Sequence, residues 1–311
     1  MMTTLDRRSF VKSLAAGLGA AAMPALRANV KRDLKIGYST LAWNVNAKDP
    51  TNFENSLKDI SDLGFWGFET VSGILEAYDP DGTLSKLIDK YKIPFKAGYI
   101  GTNVTDPSLR KENVEKVIRV GKIIKKYGGN YGVISVNGRR PRGQQAGQGP
   151  EFNFAEHKDS IVAGLNDYGM ALHDLGLGAG LHQHTGTVVE TRDEVYAVME
   201  AVNTKYMKFA PDVGQLQKGG ADAAKIVKDF AAITDHMHLK DYSGGKYFGG
   251  YCPLGLGVVD LESILNTLEE AGLNPDVMIE LDRRADTPMS ARDTAVFSKD
   301  YLVRLGYKFR S

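Results

Sequence analysis

The sequence holds a single cysteine, Cys252, in 311 residues. A disulfide framework within the chain is therefore excluded, whatever its compartment. No cysteine follows the N-terminal apolar stretch, so a lipoprotein anchor is not expected. Charge of one sign is also lacking: 39 Lys and Arg face 38 Asp and Glu, for a net charge of +1. That balance points to neither a nucleic-acid nor an acidic-membrane partner. The apolar segment over 13–23 is short and glycine-bearing, too weak for a stable membrane span. No Gly-x-Gly-x-x-Gly follows the first strand-like run, which counts against a dinucleotide site.

What is present begins with a leader. Asp6-Arg7-Arg8-Ser9-Phe10-Val11-Lys12 precedes the mild apolar stretch, and Ala25-Leu26-Arg27-Ala28 closes it. A charged start, an apolar middle and a small-residue end form a secretory signal, and the paired arginines resemble a twin-arginine signal. A frayed N-terminal helix is the alternative. The expectation is a signal over 1–28, a mature domain over 29–311, and an exported, periplasmic protein.

After the leader, strand-like runs alternate with amphipathic runs. Strands are expected over 34–43, 65–71, 95–100, 131–136, 177–182, 207–212, 233–239 and 276–281. Helices are expected over 52–63, 84–91, 109–127, 154–175, 192–202, 221–230, 261–271 and 290–305, where apolar residues recur at helical spacing. Residues 137–153 form a Gly-, Gln- and Arg-rich insertion, and 241–260 a long glycine-rich loop. Eight strand–helix units in one domain of this size predict an α/β fold, a single (β/α)₈ TIM barrel. A doubly wound open sheet is the runner-up.

In such barrels chemistry sits at the C-terminal ends of the strands. Strand 5 ends in His182-Gln183-His184-Thr185-Gly186-Thr187. Residues i and i+2 of a strand share a face, so both histidines are expected to point the same way. Strand 2 ends near Glu69, strand 6 in Pro211-Asp212-Val213-Gly214-Gln215, strand 7 in His236-Met237-His238-Leu239-Lys240-Asp241, and strand 8 in Ile279-Glu280-Leu281-Asp282. Carboxylates and imidazoles gathered at one mouth suit a divalent ion such as Mn²⁺, Co²⁺, Zn²⁺ or Mg²⁺, and the absence of thiolates argues against a structural zinc.

These strand ends, with Gly255-Leu256-Gly257-Val258-Val259-Asp260, resemble the xylose-isomerase-like barrel superfamily. That superfamily holds sugar isomerases and epimerases, inosose dehydratase and endonuclease IV. The resemblance implies one divalent metal, Mn²⁺ first among the candidates, held by Asp212, His238 and Glu280. Its usual strand 5 glutamate is His182 here, which becomes the fourth ligand, in a run similar to the His-x-His-x-Gly-Thr of inosose dehydratases. Gln215 stands where a histidine is usual, implying a different hydrogen bond to substrate. Endonuclease IV is a poor match, since three zinc ions need more histidines than these six.

The chemistry implied is enolisation of a small carbohydrate. A base removes the proton beside a carbonyl, and either isomerisation or loss of a neighbouring oxygen follows. Candidates for the proton work are His184, Glu69, Glu280 and Lys240; Gln215, Trp43, Tyr242 and Arg142 are candidates for substrate contact. Trp66, Tyr99 and Phe248 are further aromatic candidates, although core packing is the commoner fate of such rings. Glu69 reads equally as a carboxylate bound to an arginine. Lys240 and Asp241 read also as an ion pair fixing the strand 7 loop. His236 reads as support or packing rather than a ligand. A non-catalytic carbohydrate-binding barrel is the rival from another class, and a homo-oligomer is left open.

Overall fold

The apolar runs pair as strands in the computed structural model, which describes residues 31–137, 152–282 and 287–311. In chain order these are β1 (Ile36–Ser39), β2 (Phe68–Val71), β3 (Phe95–Asn103), β4 (Tyr131–Asn137), β5 (Gly178–His182), β6 (Lys208–Phe209), β7 (His236–Leu239), β8 (Asp241–Tyr242), β9 (Tyr251–Cys252) and β10 (Asp276–Ile279). Eight of them form one sheet in the order β6-β5-β4-β3-β2-β1-β10-β7. Every pairing within it is parallel. The two edges meet where His238 N donates to Pro211 O at 2.8 Å and Asp212 bridges His238. The sheet is therefore a nearly closed barrel and not the open doubly wound alternative.

Helices wrap it: α1 (Thr51–Asp62), α2 (Ser72–Tyr78), α3 (Thr83–Tyr91), α4 (Arg110–Lys126), α5 (Phe154–Asp174), α6 (Arg192–Met199), α7 (Val213–Lys218), α8 (Ala223–Phe230), α9 (Leu261–Glu270) and α10 (Ala291–Arg304). Their apolar stripes explain the arrangement. In α4, Val117, Val120 and Ile124 lie at helical spacing and are fully buried, while Lys111, Lys122, Lys125 and Lys126 are exposed. Six of the seven residues of β4 are buried, as expected of a parallel strand covered on both faces.

Several boundaries differ from the sequence reading. The first strand stops at Ser39, and Thr40–Trp43 winds into a 3₁₀ turn ended by Asn44 at φ 54°. The sixth strand keeps two residues of ladder, since Pro211 has no N–H to give its neighbour. The short helices α2 and α7 were not anticipated. Nor was the β8–β9 hairpin, which pairs Asp241 with Cys252 and Tyr242 with Tyr251 inside the expected loop. The expected signal and Arg142 lie outside the described residues. Among the described residues, no helix is long and apolar enough to cross a membrane.

Candidate functional site

Alternation along β7 puts His236 and His238 on one face, and the short β5 ends on His182. Asp212 follows β6 as the N-cap of α7, its Oδ1 accepting from Gln215 N at 3.0 Å. That cap fixes the carboxylate and leaves Oδ2 for Lys240 Nζ, 2.8 Å away. Glu280 follows β10 directly. His182, Asp212 and His238 are fully buried and Glu280 nearly so. Ligating atoms of His182, Asp212 and His238 all lie within 4.8 Å of one another.

The hydrogen bonds orient these groups. His182 Nδ1–H donates to Ala210 O at 2.9 Å, which leaves the Nε2 lone pair for the interior. That Nε2 is 3.9 Å from Asp212 Oδ2. His238 Nε2–H donates to Glu69 Oε1 at 2.7 Å, and its Nδ1 lies 2.7 Å from Glu280 Oε2 without hydrogen-bond alignment. Of the atoms that meet here, His182 Nε2 has no hydrogen-bond partner, while Asp212 Oδ2 pairs with Lys240 at 2.8 Å and His238 Nδ1 with Glu280 Oε2 at 2.7 Å. Two nitrogens and two oxygens form a donor set that fits a divalent transition ion. His182, Asp212 and His238 are therefore brought together, and Glu280 reaches them through His238 Nδ1.

Lys240 is the charge at the centre. Its fully buried ammonium lies 2.8 Å from Asp212 Oδ2, 2.8 Å from Glu280 Oε1 and 3.3 Å from Asp282 Oδ2. Burial pulls its pKa down, but Asp212, Asp282 and Glu280 outweigh this and hold it well above the usual lysine range. Burial likewise opposes the Glu280 carboxylate, yet His238 and Lys240 keep it well below the usual range. His182 is driven the other way: burial, then the neighbouring His238, hold it neutral. Lys240 does not pair with Asp241, so the expected ion pair is corrected. Asp241 instead accepts four backbone N–H groups, from Tyr242, Gly255, Gly257 and Val259. A Cβ on Gly257 would meet Asp241 Oδ1 at 2.1 Å, so glycine is required for that approach.

At the rim, His184 and His182 rings are 6.2 Å apart. Gln215 Oε1 accepts from Thr185 N and Oγ1, at 3.2 and 2.6 Å, so its amide NH₂ faces His184 Nε2 at 2.5 Å. His184 Nδ1–H then donates to Thr185 O at 3.1 Å. Tyr99 stands edge-on to His182 at 5.4 Å and nearly parallel to His238 at 6.5 Å. Tyr242 packs on Tyr251 at 5.7 Å, and the Tyr251 ring lies 4.9 Å from Lys240 Nζ.

Other expectations resolve differently. Trp43 packs in the core, edge-on to Tyr38 at 5.3 Å, with Nε1 donating to Asp59 Oδ2. Trp66 precedes β2, at the opposite end of the strands from the mouth, and donates to Lys308 O. Phe248 is buried against Tyr251, Leu281 and Met289. Glu69 binds no arginine; both of its oxygens face histidines. Two residues were overlooked. Gln183 is fully buried and clamps the Asp212 backbone, donating to its O and accepting from its N. Tyr251 lies in the glycine-rich stretch, where no periodicity marks it out.

A profile of the xylose isomerase-like TIM barrel family matches residues 57–301. The chain belongs to this family. Within it, inosose dehydratase of Clostridium perfringens is 23% identical over 273 residues, with 81% of this chain and 91% of that protein aligned. The fold is similar to that of the IolI protein, solved with a bound zinc atom (TM-score 0.69, 19% identity, 89% of this chain and 100% of that one). It is also similar to 3-keto-D-glucoside 4-epimerase YcjR from E. coli (TM-score 0.66, 15% identity, 86% and 100%).

Proposed function

We infer that the protein is a divalent-metal-dependent enzyme of the dehydratase or lyase type, acting on a carbohydrate or keto-sugar. One observation carries this reading: buried ligating atoms of His182, Asp212 and His238, from three barrel strand ends, lie within 4.8 Å of one another, and Glu280 from a fourth lies 2.7 Å from His238 Nδ1. Those residues would hold the ion, Mn²⁺ being the leading candidate. When bound, it would supply Lewis-acid polarisation of a carbonyl and an adjacent hydroxyl. The likeness to inosose dehydratase supports sugar chemistry of this kind.

The chain's own groups supply the rest. His184 is the rim imidazole; its Nε2 lone pair, released from the Gln215 amide, takes the proton beside the carbonyl. Lys240 pairs with Asp212 and, with His238, keeps Glu280 ionised. Tyr99 and the Tyr242–Tyr251 pair offer apolar faces to a sugar ring. Epimerisation, the alternative reading, needs a second base on the opposite face of the substrate carbon. Glu69 has both oxygens engaged, and Glu280 is tied to His238 and Lys240, which favours one-base elimination. The leader supports action outside the cytoplasm, on a free or glycosidic sugar.

The test is metal analysis of purified protein, followed by a screen of keto-inositols, keto-sugars and 3-keto-glycosides. Asp212→Ala and Glu280→Ala should each remove most of the bound metal. Full stoichiometry in both variants would defeat the ligand assignment.

A further inference from the structure

Glu69 on β2 and His236 and His238 on β7 form a second cluster, deeper along the same strands. All three are fully buried. Glu69 Oε1 accepts from His238 Nε2–H at 2.7 Å, and Oε2 lies 2.7 Å from His236 Nε2. The His236 ring lies flat on Tyr131, at 5.1 Å and 13°. Burial opposes the Glu69 charge, but the two imidazoles hold its pKa below the usual carboxylate value. Each oxygen of this carboxylate lies 2.7 Å from an imidazole nitrogen.

An imidazole offers a lone pair only at the nitrogen that does not carry its committed proton. Here Nε2–H of His238 is given to Glu69, so Nδ1, 2.7 Å from Glu280 Oε2, is the nitrogen left to face a cation. A carboxylate in that place orients the ring and raises its basicity as a ligand. We propose that Glu69 is a positioning residue: it takes the Nε2–H of His238, turns Nδ1 toward His182, Asp212 and Glu280, and is itself held by His236 stacked on Tyr131. This role rests on the metal reading above.

Two variants test it, Glu69→Gln and Glu69→Leu. In metal-free protein, the His238 Nε2–H resonance should be downfield and slow to exchange in the wild type. It should be weakened in Glu69→Gln and absent in Glu69→Leu. Cobalt affinity, measured by chelator competition, should fall about 10- to 100-fold in Glu69→Leu. The visible spectrum of bound Co²⁺ should shift as the His238 ring loosens, with Glu69→Gln intermediate. If Glu69→Leu does not fold, Glu69→Gln carries the comparison alone. Wild-type cobalt affinity and spectrum in the folded variants would overturn the proposal. So would a lowered unfolding temperature with an unchanged cobalt spectrum, which marks a purely structural carboxylate. If the wild type itself takes up no divalent ion, the metal reading falls and this role falls with it. Tight wild-type binding that is indifferent to Glu69 overturns this proposal alone.

Discussion

Lys240→Met is the sharpest test of the electrostatics at the strand ends. The side chains are of similar length, so packing is largely kept and the charge is removed. The ammonium it replaces lies within 2.8 Å of two carboxylates, Asp212 and Glu280, whose side chains are 0% and 2% exposed. Asp282, at 3.3 Å and 24% exposed, is screened by water and counts for less. Removing one partner of a buried pair costs about 3–5 kcal/mol, because the other charge is left uncompensated. Against a total stability of about 5–15 kcal/mol, that is a large fraction. Urea unfolding with a chelator present should show this loss in full. An ion at 100 times its Kd adds about 2.7 kcal/mol to any protein that binds it only when folded. In Lys240→Met the increment from Mn²⁺ should exceed the wild-type increment at equal concentration, since a second positive charge then returns to Asp212 and Glu280. A chelated-state loss below about 1 kcal/mol, the scale of an exposed pair, would refute the reasoning.

Three further outcomes are expected. His184→Ala should retain the metal and lose turnover by about 10²-fold or more, with solvent-deuterium exchange beside the carbonyl falling in parallel; wild-type exchange would move the base elsewhere. Asp241→Asn replaces one carboxylate oxygen by a donor, so that two of the four N–H groups now received lose their acceptor. It should cost about 2–3 kcal/mol in urea unfolding and speed proteolysis in the segment over 243–259; an unchanged midpoint and digestion rate would contradict the anchor. Arg7→Lys with Arg8→Lys should block export and leave the purified domain's unfolding curve unchanged, and normal export would dismiss the twin-arginine reading.

The barrel was legible because its signal is repetitive. Each strand is a short apolar run, each helix a stripe at 3.6 spacing, and the count of units decides the fold. The four metal-ligand candidates came from the family resemblance, applied to residues at successive strand ends that the barrel sends to one mouth. What stayed hidden depends on long-range partners. Glu69 meets His238 across 169 residues of sequence, so no local pattern says that its partner is an imidazole rather than an arginine. The β8–β9 hairpin looked like a loop because its order comes from Asp241, which binds backbone 14 to 18 residues later. The helix α7 is six residues long, below what periodicity detects, although Asp212 is a favoured N-cap residue type.

The two departures from the family pattern, His182 for a glutamate and Gln215 for a histidine, act together. With His182, the proposed ligand set has two carboxylates instead of three, so a divalent ion would keep more of its charge for a substrate oxyanion. The structure explains how an imidazole serves there: Ala210 O holds Nδ1–H, so the ring presents Nε2 without needing a proton partner in the site. Gln215, one turn into α7, meanwhile ties Thr185 and His184 to the segment that Asp212 caps. A histidine at 215 would add a second imidazole beside His184; the amide instead offers one fixed N–H and one fixed acceptor. The outcome is one rim imidazole, one buried ammonium and no second free carboxylate. That inventory suits removal of a single proton followed by departure of an oxygen.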